Sequence, residues 1–466
     1  MKQTNHNGHV ADRVPQMAPA VMTRDILQNQ ARMSPGFKRL TVVLCLLFLV
    51  GIVAFVVKAV TVGFSDRSEW GYYTATFAFL FTVAQAAPIV AISTRLTKAH
   101  WSRPFHRTAE AFALVGVFSL LLLIPLLVML PSAKGRLSIW FVDAWREGFP
   151  VAAPHLWIIL SMTALALCGL ALLWASSRPD LAAVRDHSTG RRQRFYAILA
   201  RQWRGDNKQW FTLRQRGGIL GALYFMILVF THFLISVDFS MSLIPGWKDS
   251  IYPAYHAVSG IQSGVAVLIV ALFVLRQYGG MKNYLSMDQF WGLGKLLLTL
   301  SLIWAYFWWS EFNAFWYSRF PPELSVLQFI MFKSYLTPWV LSFILIFLLP
   351  LLFLIWSRVR KSILGPTLIA ISVLIGTFFN KISTYVSAFS VEDITQRELH
   401  AIPPAILPNG LDILMILGTL AGAALVYIVA IKIFSPISLW DMKSFMLLRR
   451  FRKFRRTEVT VLAKPD

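Results

Sequence analysis

The chain has 466 residues, of which 56% are hydrophobic and only 14% charged, and its mean hydropathy is +0.59. That composition is far too apolar for a soluble domain and excludes a soluble enzyme. A net charge of +23 would point to nucleic acid in a soluble protein. In a polytopic membrane protein, the same excess is the Lys and Arg of cytoplasmic loops, and no nucleic-acid partner is expected.

Residues 1–39 are polar, lack the short apolar core and cleavage site of a signal peptide, and read as a cytoplasmic tail. Ten apolar runs follow over residues 40–434, most of them long enough for the roughly 20 residues that cross a bilayer. The first five are 40–62, 71–93, 109–131, 154–176 and 217–238. The second five are 253–275, 292–316, 335–357, 362–386 and 411–434. Residues 435–466 form a basic C-terminal tail, whose arginine-rich stretch 449–456 reads as a contact for anionic lipid headgroups or an acidic partner.

Counting charges on alternate sides tests the number of spans. The two tails and the loops after even-numbered spans carry 33 Lys and Arg, against eight on the other side: Arg67, Lys134, Arg136, Arg146, Lys248, Arg319, Lys333 and Arg397. Such asymmetry places both termini in the cytoplasm. The fold expected is therefore all-α and polytopic, with about ten transmembrane helices. The 177–216 loop, with Arg191, Arg192, Arg194, Arg201 and Arg204, reads as an amphipathic surface helix, a docking site or a lipid contact.

A faint duplication runs through the spans. Phe81-Thr-Val-Ala-Gln85-Ala-Ala in the second matches Val258-Ser-Gly-Ile-Gln262-Ser-Gly in the sixth, and Ile-Leu-Gly opens the fifth and ninth at 219–221 and 363–365. It fits two four-helix bundles, about 71–238 and 253–386, flanked by spans one and ten.

Ionisable residues inside the hydrocarbon are costly, so each is a functional candidate. His232, Asp238, His256, Glu311, Lys381 with Asn380, and Asp412 all fall on the extracytoplasmic side. Asp238, Asp412 and Lys381 also admit a plainer reading, solvated or paired near the boundary. Gln85, Lys295 and Arg276 are the inner-side candidates, of which Lys295 and Arg276 lie close enough to the boundary to snorkel. Span seven is dense in aromatics, and Trp304, Trp308 and Glu311 share a helical face that would line a flat apolar cavity with one carboxylate, suited to a quinone ring; lipid contact is the plainer reading for the tryptophans. The two cysteines, Cys45 and Cys168, sit in apolar runs, which excludes cysteine-ligated iron–sulfur and covalent haem sites. His155, His232 and His256 lack the repeated pairing of a dihaem bundle, so no haem or iron–sulfur cluster of the chain's own is expected.

Asp238-Phe-Ser-Met-Ser-Leu-Ile-Pro245-Gly-Trp247, closing span five, resembles the Asp-x-x-Met-Ser-Leu-x-Pro-x-Trp pattern of the NrfD-like membrane subunits. Leu293-Gly294-Lys295-Leu296-Leu297, then Trp304-Ala305-Tyr306, then Phe315-Trp316-Tyr317-Ser-Arg-Phe-Pro321-Pro322-Glu323, is similar to the succession in the ActF-type subunit of alternative complex III. Leu324 stands where that pattern has a second acid. These motifs cover about the middle quarter of the chain.

The resemblance implies a membrane subunit of a bacterial inner-membrane respiratory complex that oxidises quinol, most simply menaquinol, and passes electrons to cytochrome c or a terminal oxidase. Its implied partners are membrane lipids, a second NrfD-like subunit, and iron–sulfur and multihaem cytochrome c subunits. On this reading His232, Asp238, His256, Glu311, Trp308, Lys381 and Asp412 serve a quinone or proton pathway at the outer face, with Lys295 and Gln85 toward the inner side. Two other readings stay open: a proton-coupled transporter, and a structural anchor whose sister subunit holds the quinone.

Overall fold

The computed structural model describes residues 17–131, 153–454 and 457–462. Among them, ten helices are long and apolar enough to cross a membrane: Pro35–Thr61, Ser68–Leu96, His100–Met129, His155–Asp186, Asn207–Leu243, Tyr252–Gln277, Met287–Ser318, Leu336–Leu354, Leu364–Phe389 and Gly410–Phe434. The chain is an all-α polytopic membrane protein, and the spans are numbered one to ten in that order. Lys134, Arg136 and Arg146 of the charge count, and the side chains of residues 449–456, lie outside the described residues.

Local chemistry sets the span ends. Ser34 accepts the Phe37 N–H at 3.2 Å with Pro35 in the first turn, which starts span one. Capping boxes open span seven at Ser286 and Gln289 and span ten at Asn409 and Asp412, satisfying backbone groups that would otherwise have no partner. Span three begins at His100, nine residues before the expected start, because His106, Arg107 and Glu110 are buried and paired. Pairing lets the helix carry charges that would otherwise cost several kcal/mol at that depth, on the order given by burial without a partner.

Spans two and six form the centre. The apolar window of span two is 94% buried, against 11% for span one, so span one faces lipid and span two faces protein. Span two packs on spans three and five, span four on three and five, span six on seven and nine, and span eight on seven and nine. The two groups meet where span six crosses span two at Gly264: a Cβ there would lie 2.8 Å from the Ala86 carbonyl carbon, so only glycine permits the approach. Spans one and ten pair in the same way, since a Cβ on Gly51 would lie 2.5 Å from the Gly418 Cα.

Three π-helical turns interrupt the second group, at Gln328–Phe332, Ile344–Leu348 and Ile382–Val386. Such turns displace carbonyls from the helical ladder and are common at functional positions. The Ile346 carbonyl accepts from Gln262 Nε2 at 3.1 Å, and the same amide donates to Ser301 Oγ at 2.8 Å. Gln85 plays a related part in the first group, where Tyr224 Oη donates to its carbonyl at 2.7 Å and side-chain oxygen at 2.8 Å.

The inner face is a polar layer rather than a fringe of loose tails. Residues 19–31 of the expected tail form a helix, Pro19–Ala31, that buries Met22 and Ile26 and donates from Gln30 Nε2 to the Lys432 carbonyl at 2.8 Å. Lys432 Nζ returns a bond to the Gln30 carbonyl at 3.0 Å. At the other end, the helix Leu439–Leu448 docks beneath spans three and four, and the strands Arg449–Phe454 and Thr457–Leu462 pair antiparallel beyond it.

Candidate functional site

Two histidines from neighbouring spans meet in the outer half of the protein. His232 of span five and His256 of span six are fully buried, with ring centroids 5.1 Å apart. His232 Nδ1 bonds the Leu228 carbonyl at 3.0 Å, one turn back, and this fixes the ring. Its Nε2 has no partner and faces Gly260, where a Cβ would lie 2.5 Å away; glycine is what makes room for the imidazole. The Phe81 ring, 4.6 Å from that of His232, covers it from span two.

His256 Nε2 lies 2.8 Å from Tyr385 Oη, while its Nδ1 has no partner. Tyr385 sits in the Ile382–Val386 π turn, so the irregularity in span nine aims a hydroxyl at the histidine pair. The preceding residue on the turn, Thr384, offers its carbonyl to Ser240 Oγ at 2.9 Å, and Ser240 Oγ lies 3.2 Å from Tyr252 Oη. Lys381, also buried, places its ammonium 5.9 Å from the Tyr385 ring. Asn380 donates to Tyr255 Oη at 3.2 Å.

A row of aromatic rings runs from this cluster toward span seven. Trp247 packs on Tyr252 at 4.5 Å, and Tyr255 on Trp304 at 5.3 Å. Trp247 Nε1 and Trp304 Nε1 are buried with no partner. Beyond them Glu311 is buried at 5% exposure and shares a hydrogen bond with Asp249, which precedes span six. A bond between two carboxyls needs a proton on one of them, and without that proton Asp249 Oδ2 has no partner. Burial raises the Asp249 carboxyl above its usual range, against the opposing hydrogen bonds from the Ile251 N–H and Glu311. Tyr252, three residues after Asp249, has its ring 6.2 Å from that of His256, which brings the Asp249 loop next to the histidine cluster.

Of the residues singled out from sequence, His232, His256, Glu311 and Lys381 with Asn380 thus converge. Asp238, at the end of span five, is fully buried near them, beside the Ser240 turn. Lys381 is 1% exposed, so its place near the span end does not bring it to solvent. Trp308 turns to the flank, stacking on Phe312 at 5.7 Å and meeting Phe343 of span eight at 4.9 Å.

Asp412 belongs elsewhere. It accepts from Lys58 of span one at 2.7 Å, with Glu69 3.4 Å from the same ammonium, and it caps its own helix. Lys295 is exposed and lies over the Trp291 ring at 4.3 Å, the snorkelling position. Arg276 is buried instead of snorkelling, and its Nη1 donates to the carbonyls of Lys282 and Leu285, closing the loop after span six.

The sequence reading missed Tyr385, Tyr252, Tyr255 and Asp249. Asp249 and Tyr252 lie directly after the Trp247 motif, and that adjacency was the available signal. It also missed an ionic network on the inner side. Arg95 pairs with Glu110 at 2.6 Å, Arg107 with Asp180 at 3.0 Å, and Asp441 of the terminal helix lies 3.4 Å from His106 Nδ1 and 3.7 Å from Arg95. The signal there was the charged run 106–110 placed directly before an apolar stretch.

Chemically, the outer cluster holds groups that can accept and hold protons: two imidazoles with a tyrosine hydroxyl on one side, and an acid pair on the other. It is a poor haem site: the two imidazoles touch each other and His232 Nε2 abuts Gly260, leaving no space for a haem plane between them. Among the described residues no three His, Cys, Asp or Glu side chains converge as a metal site. Fold and site together define a multi-pass helical membrane protein with a buried cluster of titratable side chains in one half. No family model matches the chain, and no curated protein matches it.

Proposed function

We propose that this protein is a NrfD-like membrane subunit of a bacterial quinol:acceptor oxidoreductase of the alternative complex III type, and that its outer cluster handles quinol protons. The observation that carries the reading is the contact of His232 with His256, extended through Tyr385 on one side and toward the Glu311–Asp249 pair on the other. Quinol oxidation releases two protons, so each ring oxygen needs an acceptor and the protons need an exit. Imidazole nitrogens without partners serve as acceptors, and the carboxyl pair at the outer end serves as the exit. Electrons leave to iron–sulfur and haem c subunits, since the chain carries no redox centre of its own on this reading.

The aromatic flank of Trp308, Trp339 and Phe343 is the side from which an isoprenoid quinone in the bilayer would approach. The sequence motifs around Asp238–Trp247 and Lys295–Glu323 support the same assignment, because they contribute both the loop that holds Asp249 and the helix that holds Glu311.

Purifying the protein from its native membrane through a tag, identifying copurifying subunits by mass spectrometry and assaying extracted quinone tests this. Quinone together with multihaem cytochrome c and iron–sulfur subunits is the expected result. A lone polypeptide without quinone contradicts it and favours transport.

A further inference from the structure

The inner membrane boundary holds a second cluster that the outer site does not use. Arg178, at the cytoplasmic end of span four, places its guanidinium 5.3 Å from the Trp174 ring and 5.2 Å from the Trp203 ring. Arg201 lies over the same Trp174 ring at 5.6 Å. Arg216, at the start of the apolar part of span five, is within electrostatic reach of Arg178, as is Arg201. Arg201 and Arg216 are exposed and Arg178 is half-buried, so the three guanidiniums present positive charge at the boundary, where an anion is attracted.

Among the described residues no ion pair joins an acid to Arg178, Arg201 or Arg216. The nearby acids are engaged elsewhere: Asp180 with Arg107 and the Leu439 N–H, and Asp186 with Arg185. Arg178 donates from Nη2 to the Arg201 carbonyl at 3.1 Å, while its Nε is buried with no partner.

The scaffold is built to hold this arrangement. The helix Gly190–Ala200 ends with Arg201 and Gln202 both in the left-handed region, at φ 42° and 52°, and this turn lays Arg201 on Trp174. Trp174 Nε1 in turn holds the Leu199 carbonyl at 3.0 Å. The same helix exposes Phe195 and Ile198 next to Arg191, Arg192 and Arg194, the composition of a helix lying in a headgroup layer. A cleft of about 650 Å³, lined by Pro179, Arg185, Trp203 and Arg204 among others, opens beside the cluster.

We propose that Arg178, Arg201 and Arg216 form a binding site for a phosphate anion at the cytoplasmic membrane boundary, of the kind that an anionic phospholipid headgroup or a soluble phosphate supplies. Guanidinium groups pair with phosphate oxygens through two N–H donors at once, and stacking on Trp174 and Trp203 preorganises those of Arg178 and Arg201.

Native mass spectrometry of the full chain, titrated with phosphatidylglycerol or with phosphatidylcholine of the same acyl chains, tests the site. Wild type should prefer phosphatidylglycerol, and Arg178→Gln/Arg201→Gln/Arg216→Gln should lose roughly fivefold of that preference for each guanidinium removed. Arg191→Gln/Arg192→Gln/Arg194→Gln removes equal charge from the exposed helix and should lose less. Arg178→Lys, which keeps the charge but not the planar stacking, guards against a folding defect and should retain part of the preference. Inorganic phosphate that binds wild type and not the triple variant, with no lipid preference, assigns the site to a soluble phosphate. Equal losses in both triple variants, or wild type that distinguishes neither lipid nor phosphate from the variant, overturn the proposal.

Discussion

Glu311 and Asp249 hold their carboxyl groups against each other, one from span seven and the other from the loop before span six. Two acids this close cannot both ionise readily, so the pair keeps a proton that a lone carboxyl would lose, and Tyr252, three residues after Asp249, has its ring 6.2 Å from that of His256. In the proposed mechanism this is where protons from the histidine cluster leave toward the outer face.

Glu311→Gln keeps the shape and one hydrogen bond but removes the titratable group. Quinol-linked turnover of the assembled complex should fall about a hundredfold, the scale of a lost acid–base group, while subunit composition stays that of wild type. Steady-state quinol oxidation with a cytochrome c acceptor measures it, and unchanged turnover would remove Glu311 from the pathway.

Gly260→Ala places a methyl carbon 2.5 Å from His232 Nε2. Overpacking of this kind costs about 1–3 kcal/mol and tilts the imidazole away from His256. The thermal midpoint of the purified protein should drop and turnover should fall with it. The matched change Gly410→Ala, at a position with open space, should alter neither.

How much of this was legible in the sequence differs by feature. The number of spans was, since apolar length and charge asymmetry are additive along the chain and survive errors at single positions. The start of span three was not, because Arg107 and Glu110 look like loop residues until their partners Asp180 and Arg95 are brought to them by the fold. His232, His256 and Glu311 stood out because an ionisable residue in an apolar run is conspicuous. Tyr385 did not, since a tyrosine near a span end is ordinary and its aim depends on a π turn that leaves no local signature. Asp412, nearer its span end than Glu311, admits the plainer reading of a paired group, and its partner Lys58, 354 residues away, makes it part of the span one to span ten contact.

Lys58→Met leaves Asp412 buried without its cation. Breaking such a pair costs about 3–5 kcal/mol, so the unfolding midpoint in detergent should fall clearly. Among the described residues no hydrogen bond or ion pair links Lys58, Glu69 and Asp412 to the histidine cluster. Turnover per folded complex should therefore stay near wild type, and a loss matching that of Glu311→Gln would place Asp412 in the pathway after all.

Burial opposes ionisation of Asp441, but His106, Arg95 and Arg107 together outweigh it and hold its carboxyl below the usual range. A group lowered by folding contributes stability above its unfolded pKa, near 4, and loses it as pH falls through the folded value. Docking of the helix Leu439–Leu448 should thus be insensitive to pH from 5 to 8 on that carboxyl's account and weaken only in stronger acid, on the order of pH 3 and below. Hydrogen exchange over residues 439–448 reads this directly. Asp441→Asn should give the loosened helix at neutral pH, and equal protection in the two proteins would show that the ion pairs do not hold it.

The most direct test of the central claim is to label the intact complex with a photoreactive quinone and map the modified residues by mass spectrometry. The outer cluster predicts labels on spans five to nine around His232, Tyr252, His256, Trp308 and Tyr385, all suppressed by excess quinone. Labelling confined to a sister subunit, with none on this chain, would contradict the account and leave this protein an anchor.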